Sequence, residues 1–306
     1  MFVNVWLILV FCVAAVALQE EKTRLRVMTL DTWSYYANFS QAAKKLAKHI
    51  RILDADIVAF QEEEISGILS ELGPDYHGYL FDANPKNPNI DVYRTGIITK
   101  HEVDSDSLIR TPTSVGFKIN FVNSTKSVNF YSSHLERHYY GPYNVVEGKQ
   151  FVDVHERKRV LQIQALIDHP GFQSQVQSAT SGGIPLIVAG SFNSPSHLDW
   201  TESTKHLHHG FVYEWPATKL ISDNASLTDS FRAIYPDPLA VPGNTWSTLK
   251  TSTPERISFI LFNSPKLIPV DSFIYSGCLP LKEKPNHRNN DFPSMHYAVV
   301  TDFLYD

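Results

Sequence analysis

Cysteine is scarce in this sequence, which has only Cys12 and Cys278 among its 306 residues. Cys12 lies in an apolar N-terminal segment that we expect to be removed, so the mature chain would keep one thiol. It cannot then form an internal disulfide, and its stability must come from the packed core. An unpaired cysteine could join two chains or ligate a metal, but we expect Cys278 to be a small buried apolar residue and assign it no role.

Blocks of basic residues are also absent. The formal net charge is -5, and no run of five or six lysines and arginines occurs. Non-specific binding to a nucleic-acid backbone depends on several phosphate contacts from basic side chains. The sequence therefore predicts no strong nucleic-acid-binding surface, although a few arginines could still hold a small phosphate.

Long hydrophobic runs are limited to one, over residues 2–18 at the N-terminus. The run ends with the small residues Ala15 and Ala17 flanking Val16, which suits a signal peptidase, although no lysine or arginine precedes it. An uncleaved membrane anchor is the alternative, for which the run is short. We predict a signal peptide over residues 1–18 and a secreted, extracellular protein with no transmembrane segment in the mature chain. Acceptor triplets for N-glycosylation begin at Asn38, Asn123 and Asn224, which fits export, though such triplets also arise by chance.

The remaining composition is that of a globular chain, with 43% hydrophobic and 19% charged residues. The length could hold two average domains, but no linker or internal repeat is visible, so residues 19–306 are predicted to form one domain.

Strand patterns outnumber helical ones along the chain. A helix is predicted from an N-cap at Ser40 to residue 53 and another over residues 153–168, while the polar residues 173–183 are predicted to form a surface loop. A short helix is predicted through Ile65, Ile68 and Leu72. Strands are predicted at residues 25–31, 56–61, 95–99, 116–122, 128–134, 185–189, 257–262 and 297–304. This order favours two sheets packed face to face with helices outside, a layered α/β sandwich.

Polar residues cluster where these strands stop, and from there they could converge on one rim of the sandwich. Seven segments carry the pattern, in the order LRVMTLDTWS, DADIVAFQEEE, VNFYSSHLERHYYGPY, PLIVAGSFNSPSHLDWT, GNTWSTL, ERISFILF and DFPSMHYAVV. Together they resemble the successive motifs of the endonuclease/exonuclease/phosphatase superfamily, which includes DNase I-like nucleases, inositol-phosphate phosphatases and neutral sphingomyelinases. The resemblance spans residues 25–304.

The resemblance implies a four-layered α/β sandwich of two mostly antiparallel sheets flanked by helices. It also implies a divalent metal, usually Mg²⁺, that clamps phosphate oxygens while an oriented water attacks phosphorus. Carried over by motif, Glu62 matches the metal-binding acid and His134 a phosphate-contacting histidine. Asn193 matches an orienting amide, and His296 matches the histidine that stabilises the reacting phosphate.

Several acids of the family pattern are missing. Serine stands at Ser191 and Ser258, and Met295 replaces the carboxylate expected to pair with the catalytic histidine. A serine hydroxyl stays protonated near neutral pH and cannot act as a carboxylate base. We therefore expect His296 to lack an anionic partner. Strand one carries Asp31 where the family has asparagine, which adds a second candidate metal ligand beside Glu62.

Three hypotheses follow. The first is a secreted pseudoenzyme that binds a protein partner, a phosphorylated ligand or nothing, with weak or absent Mg²⁺ binding. The second is an active Mg²⁺-dependent phosphodiester hydrolase of nuclease, sphingomyelinase or phosphatase type, with a metal site at Asp31 and Glu62 and a recruited acid such as Glu255 or Asp291. The third is a ligand or haem carrier with Cys278 as axial ligand. We favour the first because three acids of one site are lost.

Two further segments, residues 139–143 (YYGPY) and 194–201 (SPSHLDWT), could line the cleft. Their aromatic rings could stack on a ligand, or they could simply pack around the turn that Gly141 and Pro142 form.

Overall fold

The computed structural model describes residues 22–32, 39–61, 65–81, 94–148, 152–249 and 251–306. The predicted signal peptide, the acceptor Asn38 and the metal ligand Glu62 lie outside these residues.

The described residues form twelve strands and seven α-helices. The strands are β1 (Thr23–Asp31), β2 (Ile57–Gln61), β3 (His77–Phe81), β4 (Thr95–Thr99), β5 (Glu102–Arg110), β6 (Ser114–Asn120), β7 (Ser127–His134), β8 (Leu186–Ser191), β9 (Thr228–Asp229), β10 (Ser258–Asn263), β11 (Leu267–Tyr275) and β12 (Ala298–Tyr305). The helices are α1 (Ala42–Leu53), α2 (Ser66–Leu72), α3 (Gly141–Val146), α4 (Val152–Ile167), α5 (Pro170–Thr180), α6 (Pro216–Ala225) and α7 (Ser230–Ile234).

The strands form two six-stranded sheets. The order in the first sheet is β11-β12-β1-β2-β4-β3, and in the second it is β5-β6-β7-β8-β10-β9. Neighbouring strands are antiparallel except for β1 with β2 and β7 with β8, which are parallel. Because β12 returns beside β1, the segment that precedes β12 reaches the same rim as the end of β1.

Three apolar clusters join four layers. Inward side chains of both sheets, such as Val27, Phe130 and Ile187, fill the space between the sheets. Helices α1 and α2 cover the outer face of the first sheet, and α4, α5 and α6 cover that of the second. The predicted four-layered α/β sandwich is therefore confirmed.

The eight strands predicted from sequence are the eight interior strands, with bounds shifted by at most a few residues. The strands that sequence reasoning missed, β3, β5, β9 and β11, are the four sheet edges. An edge strand is paired on one side only, and most side chains of these four are half-buried or exposed, so each carries a weak apolar pattern.

Two local predictions were wrong. Residues 173–183 are not a loop, because α5 covers most of them: His169 caps the helix by accepting from the Gly171 N–H, Pro170 stands in its first turn, and Phe172 and Ala179 anchor it. Helix α1 has no side-chain cap from Ser40, since it begins at Ala42. In α5 the buried residues Phe172 and Ala179 are surrounded by glutamines and serines, so the sequence shows little helical pattern there.

Cys278 is exposed, which corrects the expectation of a buried apolar residue. Its sulfur lies 4.0 Å from the Tyr275 hydroxyl. None of the helices in the described part of the chain combines the length and apolar character that a membrane span requires.

Candidate functional site

The predicted site residues of the described chain lie at one end of the space between the sheets. Strand alternation points every second side chain inward, so Asp31, His134, Ser191 and Ser258 continue the inward rows of β1, β7, β8 and β10. In the second sheet His134 pairs with Ser191, and Ser191 pairs with Ser258. The structure thus brings together residues from four strands.

Asp31 connects the two histidines of the site. Its Oδ2 lies 3.7 Å from His134 Nε2 and 3.8 Å from His296 Nε2. All three side chains are almost fully buried. The expectation that His296 lacks an anionic neighbour was therefore wrong, because Asp31 supplies a carboxylate that Met295 does not.

Ser294 and Trp246 position His296. The Ser294 hydroxyl donates to the Asp31 carbonyl at 2.7 Å and accepts from the His296 N–H at 2.9 Å. The Trp246 ring packs against His296 with 4.7 Å between centroids, and the two backbones form a β-bridge. Both residues lie in segments that resemble superfamily motifs, but the sequence analysis gave neither a role. The position of Ser294 two residues before His296 was the sequence feature that could have indicated one.

The two serines at family acid positions lie side by side and differ in their bonding. Ser191 donates to the Asn193 Oδ1 at 3.4 Å, and Asn193 Nδ2 donates to the Leu135 carbonyl at 3.0 Å. Ser258 Oγ is buried and has no hydrogen-bond partner among the described residues. Both ends of the Asn193 amide are thus used inside the protein, and neither serine can remove a proton from water near neutral pH.

Met295 is half-buried next to this cluster, and its backbone carbonyl accepts from the Thr248 N–H at 2.8 Å. Its thioether brings no charge to the site.

Gly190 permits the close approach of β7 and β8 directly behind the serines. A Cβ at this position would stand 1.9 Å from the Ser133 carbonyl oxygen. Only glycine avoids this backbone clash, which explains the residue before Ser191.

A buried polar layer supports the site from below. Gln61 donates to the Ser132 hydroxyl at 3.2 Å, and Thr29 donates to the Gln61 side-chain oxygen at 3.3 Å. Thr95 and Ser132 share a hydrogen bond of 2.6 Å. The two bonds to Ser132 cross from the first sheet to the second, so they fix the spacing of the sheets beneath Asp31 and His134.

A buried ion pair on α4 holds the segments that follow β7 and β8. Arg159 donates to Glu156 at 2.5 Å and to the Glu136 carbonyl at 2.8 Å. Ser194 donates to the second Glu156 oxygen at 2.8 Å. Burial raises the pKa of Glu156, and the neighbouring Arg159 opposes that rise. The buried charges of α4 are therefore paired and hydrogen-bonded beside the candidate site.

The two acids considered for recruitment lie away from the histidines. Glu255 accepts from Trp200 Nε1 at 3.0 Å. Asp291 bonds Lys48 and lies 3.4 Å from His49 Nε2, and the hydrogen bond from Lys48 holds the pKa of Asp291 below its usual value. The structure thus assigns both carboxylates to other contacts, against the hypothesis of recruitment.

The donors at the site do not fit Mg²⁺ within the described residues. Mg²⁺ takes oxygen ligands in octahedral geometry. Asp31 brings one carboxylate there, and two imidazoles face it; the described part of the chain holds no group of three or more side chains suited to a metal. The predicted partnership of Asp31 with Glu62 falls on a residue outside this part, so it stays a prediction.

The segments 139–143 and 194–201 lie beside the site. Trp200 is buried and Tyr140 is half-buried, whereas Tyr139 is exposed and stacks on His155. Gly141 is in close contact with Trp215, where a Cβ would come within 2.4 Å of the ring. Packing thus accounts for most of these aromatic residues, although Pro142 and Trp200 also line a pocket described below.

The described glycosylation acceptors, Asn123 and Asn224, are both exposed. Asn123 lies in the turn after β6, and Asn224 lies in the last turn of α6. Their modification stays a prediction.

Comparison with solved structures places the fold. The human Nocturnin catalytic domain with bound sulfate aligns with a TM-score of 0.57 at 18% identity, covering 93% of this chain and 98% of that domain. A complex of TDP2 from D. rerio with a single-strand DNA product aligns with a TM-score of 0.57 at 16% identity, covering 92% of this chain and 99% of that chain. An endonuclease/exonuclease/phosphatase family protein from Bacteroides thetaiotaomicron aligns with a TM-score of 0.58 at 14% identity, covering 94% of this chain and 99% of that chain. The chain therefore has the DNase I-like fold of the endonuclease/exonuclease/phosphatase superfamily.

A nearer relative defines the family. The chain is 33% identical over 299 residues to the Caenorhabditis elegans protein named uncharacterized protein F14F9.5, covering 92% of this chain and 91% of that protein. The chain belongs to the family of that nematode protein. No protein-family model matches the sequence.

Proposed function

We propose that the protein is a secreted, catalytically impaired relative of metal-dependent phosphodiesterases. One observation carries the proposal: Ser191 and Ser258 pair across β8 and β10 beside His134, at two positions where the superfamily pattern has carboxylates. Their hydroxyls cannot activate a water molecule as carboxylates do. General acid–base groups contribute on the order of 10²–10⁴-fold each, so the loss of several leaves little turnover.

The contacts of the other acids support the same conclusion. Glu255 is engaged with Trp200 and His208, and Asp291 is engaged with Lys48 and His49. Among the described residues, Asp31 is the acid within 4 Å of both His134 and His296. Its charge lies where the resemblance expects an anionic phosphate to be contacted, and like charges repel. A retained phosphorylated ligand would therefore bind weakly.

An active, rewired hydrolase is the second candidate, and the contact between Asp31 and His296 favours it. A carboxylate 3.8 Å from Nε2 stabilises the protonated imidazole, as the aspartate of a catalytic triad does. Such an enzyme would use Asp31 in place of the acid lost at Met295, with Mg²⁺ held by Asp31 and Glu62.

Turnover decides between the two candidates. The full chain, secreted from a eukaryotic cell line, is assayed with Mg²⁺ or Mn²⁺ against bis-p-nitrophenyl phosphate, plasmid DNA and sphingomyelin. We expect no turnover from the wild type and measurable turnover from the triple variant Ser191→Asp, Ser258→Asp and Met295→Asp. The matched control carries asparagine at the same three positions and keeps side-chain size without charge. Wild-type turnover that is lost in Glu62→Ala would overturn the proposal in favour of the hydrolase.

The same preparation tests secretion. We expect the protein in the medium, with its N-terminus at residue 19 and a mass that falls on treatment with an N-glycosidase. Retention in the cell membrane with an intact N-terminus would show the anchor instead.

A further inference from the structure

A pocket separate from the histidine site opens between the segment after β8, the segment after α7 and the segment before β10. We call it the side pocket. It encloses about 260 Å³, close to the lower end of the range of about 300–1,000 Å³ for small-molecule sites. Much of its wall is apolar and comes from Pro142, Val146, Leu207, Pro242 and Pro254.

The arginines that reach the side pocket are already neutralised. Arg232 donates to Asp199 at 2.7 Å, and Arg256 donates to both oxygens of Asp199 at 3.0 Å. Arg256 also bonds Asp229, and the remaining Arg232 donors bond the carbonyls of residues 235, 241 and 242. Two cations and two carboxylates thus close a network of zero net charge, which leaves no free cation for an anionic ligand.

Glu255 lines the same pocket outside this network. Its side chain is 6% exposed, and Trp200 Nε1 donates to Oε2 at 3.0 Å. His208 Nδ1 lies 3.3 Å from the other oxygen, Oε1, yet this buried nitrogen makes no hydrogen bond among the described residues. A carboxylate can accept about four hydrogen bonds, so Glu255 keeps acceptor capacity in a pocket whose wall is largely apolar.

We propose that the side pocket binds a small organic molecule that carries a protonated amine on an apolar body, with the amine paired to Glu255. A buried carboxylate is costly unless a cation or several donors satisfy it. An ammonium group supplies both, and the proline and leucine walls match an apolar body. This binding site is independent of the proposed loss of catalysis.

The side pocket lies next to the candidate site but does not share its side chains. Trp246 forms backbone bridges to Glu255 on one side and to His296 on the other. The two flanking backbones are therefore about 10 Å apart, twice the spacing of paired strands. Trp200 and Glu255 contact each other and His208, and the pocket lining does not include His134 or His296, so ligand binding can be measured without any turnover.

Benzylamine and benzyl alcohol test the proposal, because they share size and ring but differ in charge. Isothermal titration of the full chain is expected to give saturable binding of benzylamine with one site, and binding of benzyl alcohol at least about tenfold weaker. Glu255→Gln keeps a side-chain oxygen that accepts from Trp200. It is expected to weaken the binding of benzylamine at least about tenfold while leaving the affinity for benzyl alcohol unchanged. The matched control, Glu202→Gln, removes an exposed carboxylate that pairs with Lys205 and should bind as the wild type does.

Equal affinities for the amine and the alcohol, or unchanged amine binding in Glu255→Gln, would overturn the proposal, as would the absence of saturable binding. Near-ultraviolet circular dichroism of the tryptophans checks that Glu255→Gln is folded. Ser252→Trp, at an exposed position on the pocket lining, gives a second route. The new indole fills the pocket and leaves the Glu255 carboxylate in place, so this variant should abolish amine binding. Retained binding would show that the amine binds elsewhere.

Discussion

Asp31 Oδ2 and His296 Nε2 lie 3.8 Å apart, although one residue ends the first strand and the other precedes the last. The pairing of β12 with β1 creates this contact. It gives the histidine an anion and at the same time places a negative charge between the two imidazoles that a phosphate would contact.

Removing the charge of Asp31 should improve anion binding. Asp31→Asn is expected to bind inorganic phosphate about tenfold more tightly than the wild type at pH 7, because a unit charge about 4 Å from the site no longer repels the ligand. Equilibrium titration monitored by tryptophan fluorescence measures the change, since the Trp246 ring packs on His296. Asp271→Asn, at an exposed position, is the control and should change nothing. The gain should vanish in the double variant with His134→Gln; a gain that persists there would mean that phosphate binds elsewhere.

Gly190→Ala should destabilise the protein strongly. The new Cβ would meet the Ser133 carbonyl oxygen at 1.9 Å, and forcing two central strands apart costs about 3 kcal/mol, the upper end of the usual range for overpacking. Urea denaturation followed by circular dichroism measures the loss of unfolding free energy. Gly67→Ala is the matched control, because its Cβ has ordinary room within α2 and gains up to about 1 kcal/mol of helix propensity. Similar stability of both variants would refute the close-approach argument.

Asp302 should make stability depend on pH in the acid range. Burial alone would raise the pKa of Asp302. Hydrogen bonds from Arg26 and Arg24 lower it by more than burial raises it, so the pKa of Asp302 lies below its usual value. The ionised form therefore stabilises the fold above the ordinary carboxyl pKa of about 3.9, and this stabilisation is lost as the pH falls through the lower, folded-state pKa. Asp302→Asn should cost about 1–3 kcal/mol at pH 7, and the difference from wild type should shrink as the pH falls below the ordinary carboxyl pKa of about 3.9 and through the lower folded-state pKa.

Chemical denaturation across this pH range tests the sign. Asp306→Asn, which removes an exposed partner of Lys22, should show no such trend. A difference between Asp302→Asn and wild type that grows on acidification would contradict the assignment.

Asp199→Asn should be among the most destabilising single substitutions of a charged residue. It leaves the buried Arg256 and Arg232 short of a shared counter-charge; breaking such a pair costs about 3–5 kcal/mol. Burial alone would lower the pKa of Arg256, but Asp199 and Asp229 raise it, so the guanidinium stays charged. Asp223→Asn, which removes an exposed partner of Lys219, should cost less than about 1 kcal/mol in the same urea titration. Equal costs would show that the buried network contributes nothing.

The sequence predicted the interior of the fold better than its borders. Interior strands such as β8 are buried along their whole length, so their apolar runs stand out. The edge strands β5 and β11 contain pairing irregularities and many exposed residues, which erase the period of two. Helix α5 escaped notice because its buried anchors are few among glutamines and serines.

The candidate site was predictable in membership but not in contacts. Residues at the ends of interior strands converge because the strands are neighbours, so His134, Ser191 and Ser258 could be grouped from their motifs. Which acid faces which histidine depends on strand order, and nothing local in the sequence links Asp31 to His296. The same limit applies to Glu255, whose partner Trp200 follows a different strand.

The salt-bridged cluster around Asp199 also bears on motion. It ties together three stretches of chain, after β8, within α7 and before β10. Segments joined in this way open together or not at all, so their amide protons should exchange with heavy water at one common rate, close to that of the central strands. The wall of the side pocket would then behave as a rigid part of the sandwich, already shaped before any ligand arrives.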